Sequence, residues 1–565
     1  MSAQNFVNVI DPRLNALDFS QENNVWSIFK GASSHNTVAV QANSYSTAGI
    51  NFDWNTQSEK TLIDRRMYCK AQFLMTFTGT ADIGKPLLNS ESDALRAFPL
   101  SAITNTLKVT INGSTVESQY ASSLQALLRY NCSDKVKSTD LSMSPSMLDN
   151  MQRYEDGVGG IRNPLSLFQN SSGKNVGRGA FMLDEIVNPV SPDAGVTVLT
   201  ATVKFSITEP LLVSPMLYKS TDLESGLLGV SNMGVKFGFN GNLERVWSRS
   251  PSGGVNILTA KCSIGAGSTT PPQMLVSYLT PPLLSMSQIP KQIDYQYYQV
   301  KANINDMNTV LNTGQSGIFT ANSQQLSTVP RCIYIYATRP DNTKTYLTTD
   351  TFFGITSLSL NYLNQAGQFS SMNQQQLYQM CVKNGLDQSF SEWSGKTVDI
   401  GASRTAGNPS VDGLCGSVLK IDISDLAVSS AVASGQNLNS QLQFTIGLEN
   451  LNRVENLGVQ ITTIIVYDGL MSISNGNMST RIGVIGEKDI IETRLDRQNY
   501  IDWRSAHSIY AGGMGDKMGH LSAGKCEKGS RKVPVNPVGC YKKPSGKKKG
   551  GELLTRDQLK RRMFD

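Results

Sequence analysis

Histidine is the side chain that most often moves protons near neutral pH, and this chain of 565 residues contains three of them. His35 lies near the amino terminus, and His507 and His520 lie near the carboxyl terminus. Their spacing does not match an H-E-x-x-H zinc site, and the sequence contains neither a G-x-x-x-x-G-K-[ST] phosphate loop nor a G-x-S-x-G nucleophile turn. The sequence therefore predicts no catalytic residues and a protein that is not an enzyme.

Two other patterns are candidates for ligand binding. His520, Cys526 and Cys540 could ligate zinc, but a structural zinc site takes four ligands in closely spaced pairs, and thirteen residues separate these two cysteines. Gly265–Thr270 is rich in glycine, but it contains no lysine and precedes prolines instead of a helix. We expect reduced thiols in the first case, a turn in the second, and neither a metal nor a cofactor.

The carboxyl-terminal segment is the strongest candidate for a binding site. Residues 511–565 carry 14 Lys and Arg and 5 Asp and Glu, a net charge of +9 against +6 for the whole chain, so the other residues have a net charge of −3. A basic segment of this kind attracts polyanions, and a solvated tail without a partner is the alternative. The residues predicted to make the contact are Lys542, Lys543, Lys547, Lys548, Lys549, Lys560, Arg561 and Arg562.

The composition favours strands over helices. Charged residues make up 17% of the chain, and the 48 glycines and many Ser, Thr and Asn residues are unlike a helical protein. The longest apolar run, Ile461–Tyr467, is too short to span a bilayer, and residues 1–9 do not resemble a secretory signal. The eight cysteines suggest no disulfide framework, so we expect synthesis in a reducing compartment, the cytoplasm or the nucleus.

Alternation of apolar and polar residues marks the strands, and it is clearest at Leu107–Ile111. Asn112 and Gly113 follow, a dipeptide that favours a two-residue hairpin turn because both residues must adopt positive φ. Further strands are predicted at Cys69–Phe77, Val196–Leu199, Val203–Ile207, Met233–Phe239, Met274–Tyr278, Ile293–Tyr297, Cys332–Tyr336, Ile355–Leu363, Leu442–Gly447 and Val459–Asp468.

The order of these elements repeats once along the chain. A strand, a turn and a short helix occur at Leu107–Tyr130 and again at Leu358–Lys383, at an offset of about 250 residues. In the second helix Ser371 is the expected amino-terminal cap and Gly385 the expected end. The other strands predicted to correspond are Cys69 with Cys332, and Val203 with Leu442.

Two successive β-domains of one plan explain this repeat. The predicted fold class is all-β, with two tandem eight-stranded jelly rolls, a short helix in each, and long surface loops. The predicted domains are an N-terminal arm over residues 1–50, a first jelly roll over 51–300 with a long insertion near 131–195, a second jelly roll over 301–490, and a C-terminal extension over 491–565 that is basic and rich in Gly and Lys from residue 511.

The segments Leu100–Gly113 and Ala126–Asn131 resemble the first domain of double jelly-roll major capsid proteins of the polinton-like virus and virophage kind, in the adenovirus-type capsid lineage. This resemblance implies a homotrimer with pseudo-sixfold symmetry that tiles the icosahedral shell of a DNA virus. It also implies contacts between trimers and with penton and minor capsid proteins. The basic tail would then face packaged DNA, an inner membrane surface or a minor shell protein.

Two other functions fit an all-β chain of this length. A trimeric fibre or receptor-binding β-protein would form trimers without a shell. A β-sandwich carbohydrate-active enzyme would need a pair of carboxylates in a cleft, and the sequence pairs none. Electron microscopy of the purified protein separates these alternatives from a capsid protein.

Overall fold

The structure, a computed structural model, describes residues 34–89, 93–96, 98–130, 181–193, 195, 197–216, 226–249, 254–265, 270–280, 292–348, 352–363, 365–386, 388–398, 411–413, 416–426, 437–451, 455–474, 476–482, 530–533 and 539–542. The chain divides into two compact units, Met1–Val484 and Ile485–Asp565. The described residues of the first unit form two β-sandwiches, and those of the second unit form a hairpin. No helix within these ranges is long and apolar enough to cross a membrane.

The described residues between 34 and 280 form the first sandwich and two helices, α1 (Pro99–Ile103) and α2 (Tyr120–Tyr130). Its strands are β1 (Ser34–Gln41), β2 (Ser44–Ser46), β3 (Gly49–Asn55), β4 (Leu62–Ile63), β5 (Tyr68–Ala81), β6 (Asp93–Leu95), β7 (Thr104–Ile111), β8 (Ser114–Gln119), β9 (Phe181–Val187), β10 (Leu199–Pro210), β11 (Asn232–Phe239), β12 (Trp247–Arg249), β13 (Val255–Ile264) and β14 (Gln273–Thr280).

Eight of these strands form a jelly roll. One sheet has the order β1-β14-β5-β10, and the other has the order β3-β11-β7-β8. When these eight strands are numbered from one to eight along the chain, the first sheet has the order 1-8-3-6 and the second has the order 2-7-4-5. The two sheets are called the 1-8-3-6 sheet and the 2-7-4-5 sheet below. β13 continues the line of β14 along β5, so the eighth strand is interrupted once between Ile264 and Gln273.

The described residues between 292 and 482 form the second sandwich and two further helices, α3 (Gln374–Lys383) and α4 (Phe390–Ser394). Its strands are β15 (Gln292–Leu311), β16 (Ser316–Thr320), β17 (Gln324–Thr328), β18 (Cys332–Thr338), β19 (Gly354–Tyr362), β20 (Gln365–Gln368), β21 (Lys396–Val398), β22 (Val411–Gly413), β23 (Val418–Asp422), β24 (Asn437–Glu449), β25 (Leu457–Ser474) and β26 (Asn477–Ile482). The second unit contributes β27 (Ser530–Val533) and β28 (Gly539–Lys542).

The second sandwich repeats the strand order of the first. Its 1-8-3-6 sheet is β15-β25-β18-β23, and its 2-7-4-5 sheet is β16-β24-β19-β20. In each sandwich a helix follows the fifth strand, α2 after β8 and α3 after β20. The predicted tandem of two jelly rolls with a helix in each is therefore confirmed.

One predicted correspondence is wrong. The sequence matched the strand at Val203 with the strand at Leu442, but Val203 lies in a sixth strand and Leu442 lies in a seventh strand. The counterpart of β10 is β23, because both pair with the third strand of their own jelly roll. The segment Val418–Asp422 is short and lies in a stretch without clear alternation, so the sequence pattern passed over it.

Alternating burial along β5 explains why this segment is a strand. Cys69, Phe73, Met75 and Phe77 are fully buried and face the core, as does Ala71. The residues that alternate with them face outward. Side chains on the second jelly roll's sheets form a second core around Ile335 and its neighbours in the same way. Burial of such apolar side chains contributes roughly 25 cal/mol per Å² and is the main stabilising term for each sandwich.

The hairpin between β7 and β8 has the expected turn. Asn112 has φ 49° and Gly113 has φ 80°, both in the left-handed region. The Asn112 side chain also accepts a hydrogen bond from the Ser231 backbone N–H at 2.8 Å, so it ties the hairpin to the start of β11. The turn residues thus fix the register of β7 against two neighbouring strands.

We expect Gly113→Ala to lower the free energy of unfolding by about 1 kcal/mol. A Cβ at this position would have no atom within 4 Å, so the cost arises from the positive φ alone and not from a clash. Gly113→Asn is the matched control, because Asn tolerates the left-handed region better than Ala. Urea unfolding of both variants measures the difference, and equal stability of the Ala variant and the native protein would contradict this explanation.

Several predicted boundaries differ from the structure. Residues 1–50 were predicted as an arm, but β1 and β2 begin at Ser34 and Ser44 and pair within the first jelly roll. The predicted insertion near 131–195 contains β9, which pairs with β10, while residues 131–180 lie outside the described residues. The boundary between residues 300 and 301 falls inside β15. Of the described residues in the strand predicted at Val196–Leu199, only Leu199 lies in a strand, and it begins β10, which contains the strand predicted at Val203–Ile207.

The cap of α3 also differs from the prediction. Asn373, not Ser371, is the N-cap, because its side chain accepts a hydrogen bond from the Gln376 backbone N–H at 2.9 Å and the Gln376 side chain accepts one from the Asn373 backbone N–H. This is a capping box of the Asn-x-x-Gln type. Gly385 follows the helix with φ 95°, as predicted for its end.

Candidate functional site

The contact between the two jelly rolls is centred on α2, which belongs to the first jelly roll by sequence. α2 lies on the outer face of the 1-8-3-6 sheet of the second jelly roll, so Ala126 and Tyr130 are part of the second core. The ring of Tyr130 packs against that of Tyr334 at 5.3 Å, and its hydroxyl donates to the Val418 carbonyl at 2.7 Å. At the other end of the helix the Tyr336 hydroxyl donates to the Ser122 carbonyl at 2.6 Å.

Arg129 completes this contact. Its side chain is 1% exposed, and its Nη1 donates to the Gly416 carbonyl at 2.6 Å. The guanidinium also lies over the ring of Phe352, 4.5 Å from the centroid. The guanidinium of Arg129 is held by a hydrogen bond in its plane and by a ring against its face, so it has a fixed position. The carboxyl-terminal end of α2 is therefore anchored to the second jelly roll.

The second jelly roll also contributes side chains to the core of the first. Ile293, Tyr295 and Tyr297 from the start of β15 are buried among first-roll residues. The Tyr295 hydroxyl accepts a hydrogen bond from the Leu228 backbone N–H at 2.8 Å, and the Arg65 guanidinium lies 4.9 Å from the centre of its ring. Burial raises the pKa of Tyr295 to about 12, so the phenol is neutral at physiological pH. The contacts of these tyrosines are those of packing.

A buried ion pair supports a third contact. The Asp93 carboxylate accepts hydrogen bonds from Arg249 Nη1 at 2.8 and 2.9 Å and from Trp247 Nε1 at 3.0 Å. Burial raises the pKa of Asp93, while Arg249 and the Asn89 backbone N–H act in the opposite direction. The Arg249 backbone N–H donates to the Tyr346 carbonyl at 2.9 Å. The pair therefore holds a second-roll loop against the first jelly roll.

A buried carboxyl positions the helices of the first jelly roll. Glu209, at the end of β10, accepts hydrogen bonds from the Leu100 and Ser101 backbone N–H groups at 2.7 and 2.9 Å. The Ser101 hydroxyl also donates to Glu209 at 2.6 Å and lies 3.3 Å from the hydroxyl of Tyr120, the first residue of α2. Burial raises the pKa of Glu209 to about 7, and the three hydrogen bonds oppose this shift.

This carboxyl predicts a fall in stability as pH rises. The ordinary pKa of Glu209 is 4.5 and the folded value is about 7, so between these values the folded state holds a proton that the unfolded state has released. The stabilisation is complete below pH 4.5 and is lost through pH 7, up to about 3 kcal/mol. Urea unfolding at pH 5 and pH 8 measures it, with Glu209→Gln as the control that cannot titrate. Equal losses in both proteins would contradict the prediction.

The remaining surface of this contact is polar. A cleft of about 340 Å³ lies beside α2 and is lined by Ser122, Tyr336, Gln460 and Thr462 among others. The described parts of the chain contain no group of three or more His, Cys, Asp or Glu residues that could hold a metal ion. The arrangement is therefore suited to holding two domains together.

Four of the described cysteines are free thiols. They are Cys69, Cys262, Cys332 and Cys381. Burial raises the pKa of all four, to about 11 for Cys332 and Cys381. At neutral pH they are protonated, and a protonated thiol is a poor nucleophile and a poor metal ligand.

The predicted basic site lies mostly outside the described residues. Lys542 is the last residue of β28, opposite Ser530 in the β27–β28 hairpin of the second unit. Outside the described residues lie Lys543, Lys547, Lys548, Lys549, Lys560, Arg561 and Arg562.

The candidate zinc ligands and the glycine-rich segment are also only partly described. Cys540 lies in β28 opposite Lys532, while His520 and Cys526 lie outside the described residues. Gly265 has φ 75° at the end of β13, and residues 266–269 lie outside the described residues. No described contact brings any of these residues to a common site.

The residues that join the jelly rolls were not predicted from the sequence. The signal was present in Cys332–Thr338, where seven successive residues are buried without alternation. A strand that is apolar on both faces must be covered on both faces. This pattern could have indicated that another element lies on β18, although it does not identify α2 as that element.

Comparisons with known proteins agree with this fold. A family model described as Sputnik virophage major capsid protein 1st domain matches residues 5–279, and one described as Major capsid protein V20 C-terminal domain matches residues 300–469. The putative capsid protein V20 of Sputnik virophage is 30% identical over 521 residues, which cover 90% of this chain and 84% of the relative.

Solved structures give the same result. A chain in the cryo-EM structure of the Sputnik virophage matches with a TM-score of 0.73 and 30% identity, covering 86% of this chain and 95% of that one. The crystal structure of the mavirus major capsid protein matches with a TM-score of 0.63 and 19% identity, covering 80% and 92%, and supports the fold. The chain therefore belongs to the virophage major capsid protein family, and it is a structural component of the virion capsid.

Proposed function

We propose that three copies of this chain form a homotrimer with pseudo-sixfold symmetry, and that these trimers tile an icosahedral shell. The observation that supports this most directly is the presence of two jelly rolls with the same strand order in one compact unit. Three such chains present six similar sandwiches around one axis, which is the shape needed to pack in a hexagonal array.

The contacts between the jelly rolls favour this role. A tile must keep the relative orientation of its two halves, and α2, Tyr295 and the Asp93–Arg249 pair each fix one part of the contact. Permanent interfaces between subunits commonly bury more than about 2,000 Å². A subunit whose two halves are already fixed loses less conformational entropy when it forms such an interface. We infer that the chain acts by assembly and carries out no catalysis.

We also propose partners for the C-terminal extension, residues 491–565. Its basic residues are suited to packaged DNA or to an anionic inner membrane, and the trimers would contact penton and minor capsid proteins at the edges of each facet. Four protonated and unpaired thiols support synthesis in a reducing compartment of the host.

Light scattering and electron microscopy test the proposed assembly. Light scattering of the purified protein should give a molar mass three times the chain mass of 61.5 kDa. Electron microscopy should show hexagonal particles or closed shells. A persistent monomer at micromolar concentration would overturn the proposed trimer. Trimers that never form hexagonal arrays or shells would favour a fibre or receptor-binding protein.

A further inference from the structure

Because the two jelly rolls have the same strand order, the contact made by α2 should have a counterpart made by α3. Within one chain, the helix after the fifth strand of the first jelly roll lies on the outer face of the 1-8-3-6 sheet of the second. The helix after the fifth strand of the second jelly roll is α3, and the corresponding sheet of the first jelly roll is β1-β14-β5-β10. If copies alternate around a pseudo-sixfold axis, α3 has the same relation to the first jelly roll of a neighbouring copy.

Aligning the two helices shows which face of α3 is available. The apolar pattern Leu124, Leu127, Leu128 in α2 matches Leu377, Met380, Cys381 in α3, at an offset of 253 residues. Ser122, Ala126, Arg129 and Tyr130, which face the second jelly roll, then correspond to Gln375, Gln379, Val382 and Lys383. These four residues of α3 are all exposed, and Val382, a large apolar side chain, is 44% exposed.

The receiving sheet can be aligned in the same way. β5 and β18 are the third strands of their jelly rolls, and their first residues differ by 264. With this offset Cys69 corresponds to Ile333, and both side chains face the core of their own jelly roll. The pairing of Cys69 with Cys332 predicted from the sequence is one residue off, because neighbouring residues of a strand face opposite sides of the sheet. The outward residues Tyr334, Tyr336 and Thr338 then correspond to Lys70, Gln72 and Leu74.

The two sheets differ in what covers them. Tyr334, Tyr336 and Thr338 are buried by α2 and its surroundings. In the described part of the first jelly roll, Lys70 is exposed and Gln72 and Leu74 are half-buried, as are Ser206 and Thr208 on the neighbouring strand β10. The same face is therefore covered in one jelly roll and accessible in the other.

We propose that the exposed face of α3, formed by Gln375, Gln379, Val382 and Lys383, binds the outer face of the first jelly roll of a second copy, at Gln72, Leu74 and Ser206. This inference rests on the proposed trimer and names the surfaces that form it. Each chain uses two different surfaces, so the contact is head-to-tail and closes after three copies.

The chemistry of the two surfaces is compatible. Glutamine side chains meet Gln, Ser and Thr, and Val382 meets the half-buried Leu74. Lys383 approaches Lys70 in this arrangement, but Lys383 Nζ already lies 2.8 Å from Asp425 Oδ1. That carboxylate reduces the repulsion. On the receiving face Asp184 Oδ2 also accepts hydrogen bonds from Gln72 Nε2 at 2.6 Å and from Ser206 Oγ at 2.5 Å, so a second carboxylate offsets the charge of the two lysines.

Thiol cross-linking of the full chain tests this contact. Gln375→Cys is combined with Gln72→Cys, or with Ser206→Cys as a second receiving position, and the protein is treated with a short bis-maleimide. The matched control combines Gln375→Cys with Thr110→Cys, a half-buried threonine on the outer face of the other sheet of the first jelly roll. A chain with Gln375→Cys alone measures the background from native cysteines.

We expect covalent dimers and trimers on denaturing gels with either test pair, at roughly tenfold the yield of the control pair, because neighbouring thiols have a high effective concentration. Light scattering of the same samples is measured first. A trimeric mass with equal yields in test and control pairs overturns this contact and leaves the proposed trimer intact. A monomeric mass overturns the proposed trimer itself, and this contact with it.

Discussion

Replacing Asp93 with alanine should lower the free energy of unfolding by about 3–5 kcal/mol, since it leaves the Arg249 guanidinium buried without its counter-charge. The side chains of Asp93 and Arg249 are 0% and 3% exposed, and Arg249 Nη1 lies 2.8 Å from Asp93 Oδ2. The Trp247 Nε1–H would lose its acceptor as well. Urea unfolding followed by tryptophan fluorescence measures the change, since Trp247 lies beside the altered site.

The matched control is Asp82→Ala. Asp82 pairs with Lys85 at 3.1 Å, but both side chains are about half exposed, so the loss should stay within about 1 kcal/mol. A double variant, Asp93→Leu with Arg249→Met, should recover most of the stability because it removes both charges. If Asp93→Ala proved no more harmful than Asp82→Ala, the buried pair would not stabilise the contact between the jelly rolls.

Removing the basic side chains of the tail should abolish salt-sensitive binding to DNA. Eight residues are predicted to make the contact, and neutralising about eight phosphates gives a slope near −7 for the logarithm of affinity against the logarithm of salt concentration. The affinity of the native chain should then fall roughly 10⁴-fold between 50 and 200 mM salt. Fluorescence anisotropy with a labelled duplex at several salt concentrations measures this slope.

The test variant replaces those eight lysines and arginines with glutamine, and the control replaces the exposed Lys236 and Lys261 of the first jelly roll. Only the first should flatten the slope. Vesicles with anionic lipid, tested in parallel, distinguish a membrane surface from DNA as the preferred partner. Identical DNA binding by the native chain and the tail variant would show that the extension is a solvated tail.

Local patterns in the sequence predicted much of the fold. Alternation located β5 and β7, the Asn112-Gly113 dipeptide located the hairpin turn, and the apolar spacing in α3 located its buried face. These features depend on residues that are close in sequence, and each has a direct physical cause. The recurrence of a strand, a turn and a helix was enough to indicate two domains of one plan.

Features that depend on distant residues were not predictable in the same way. Periodicity shows that one face of a strand is buried, but not which element buries it, so the position of α2 on β18 remained hidden. The counterpart of β10 could be identified only from pairing with the third strand. Partners such as Asp93 and Arg249 are 156 residues apart, and nothing in the local sequence links them.

The first and last strands of the second jelly roll, β15 and β25, pair with one another along most of their length and contribute Tyr295 and Met471 to the core of the first. These two strands therefore belong to both jelly rolls, and a change in the angle between the jelly rolls would disrupt both hydrophobic cores. A shell made of such subunits therefore cannot adjust its curvature within one chain. Any change in curvature or in particle diameter has to arise where separate chains meet.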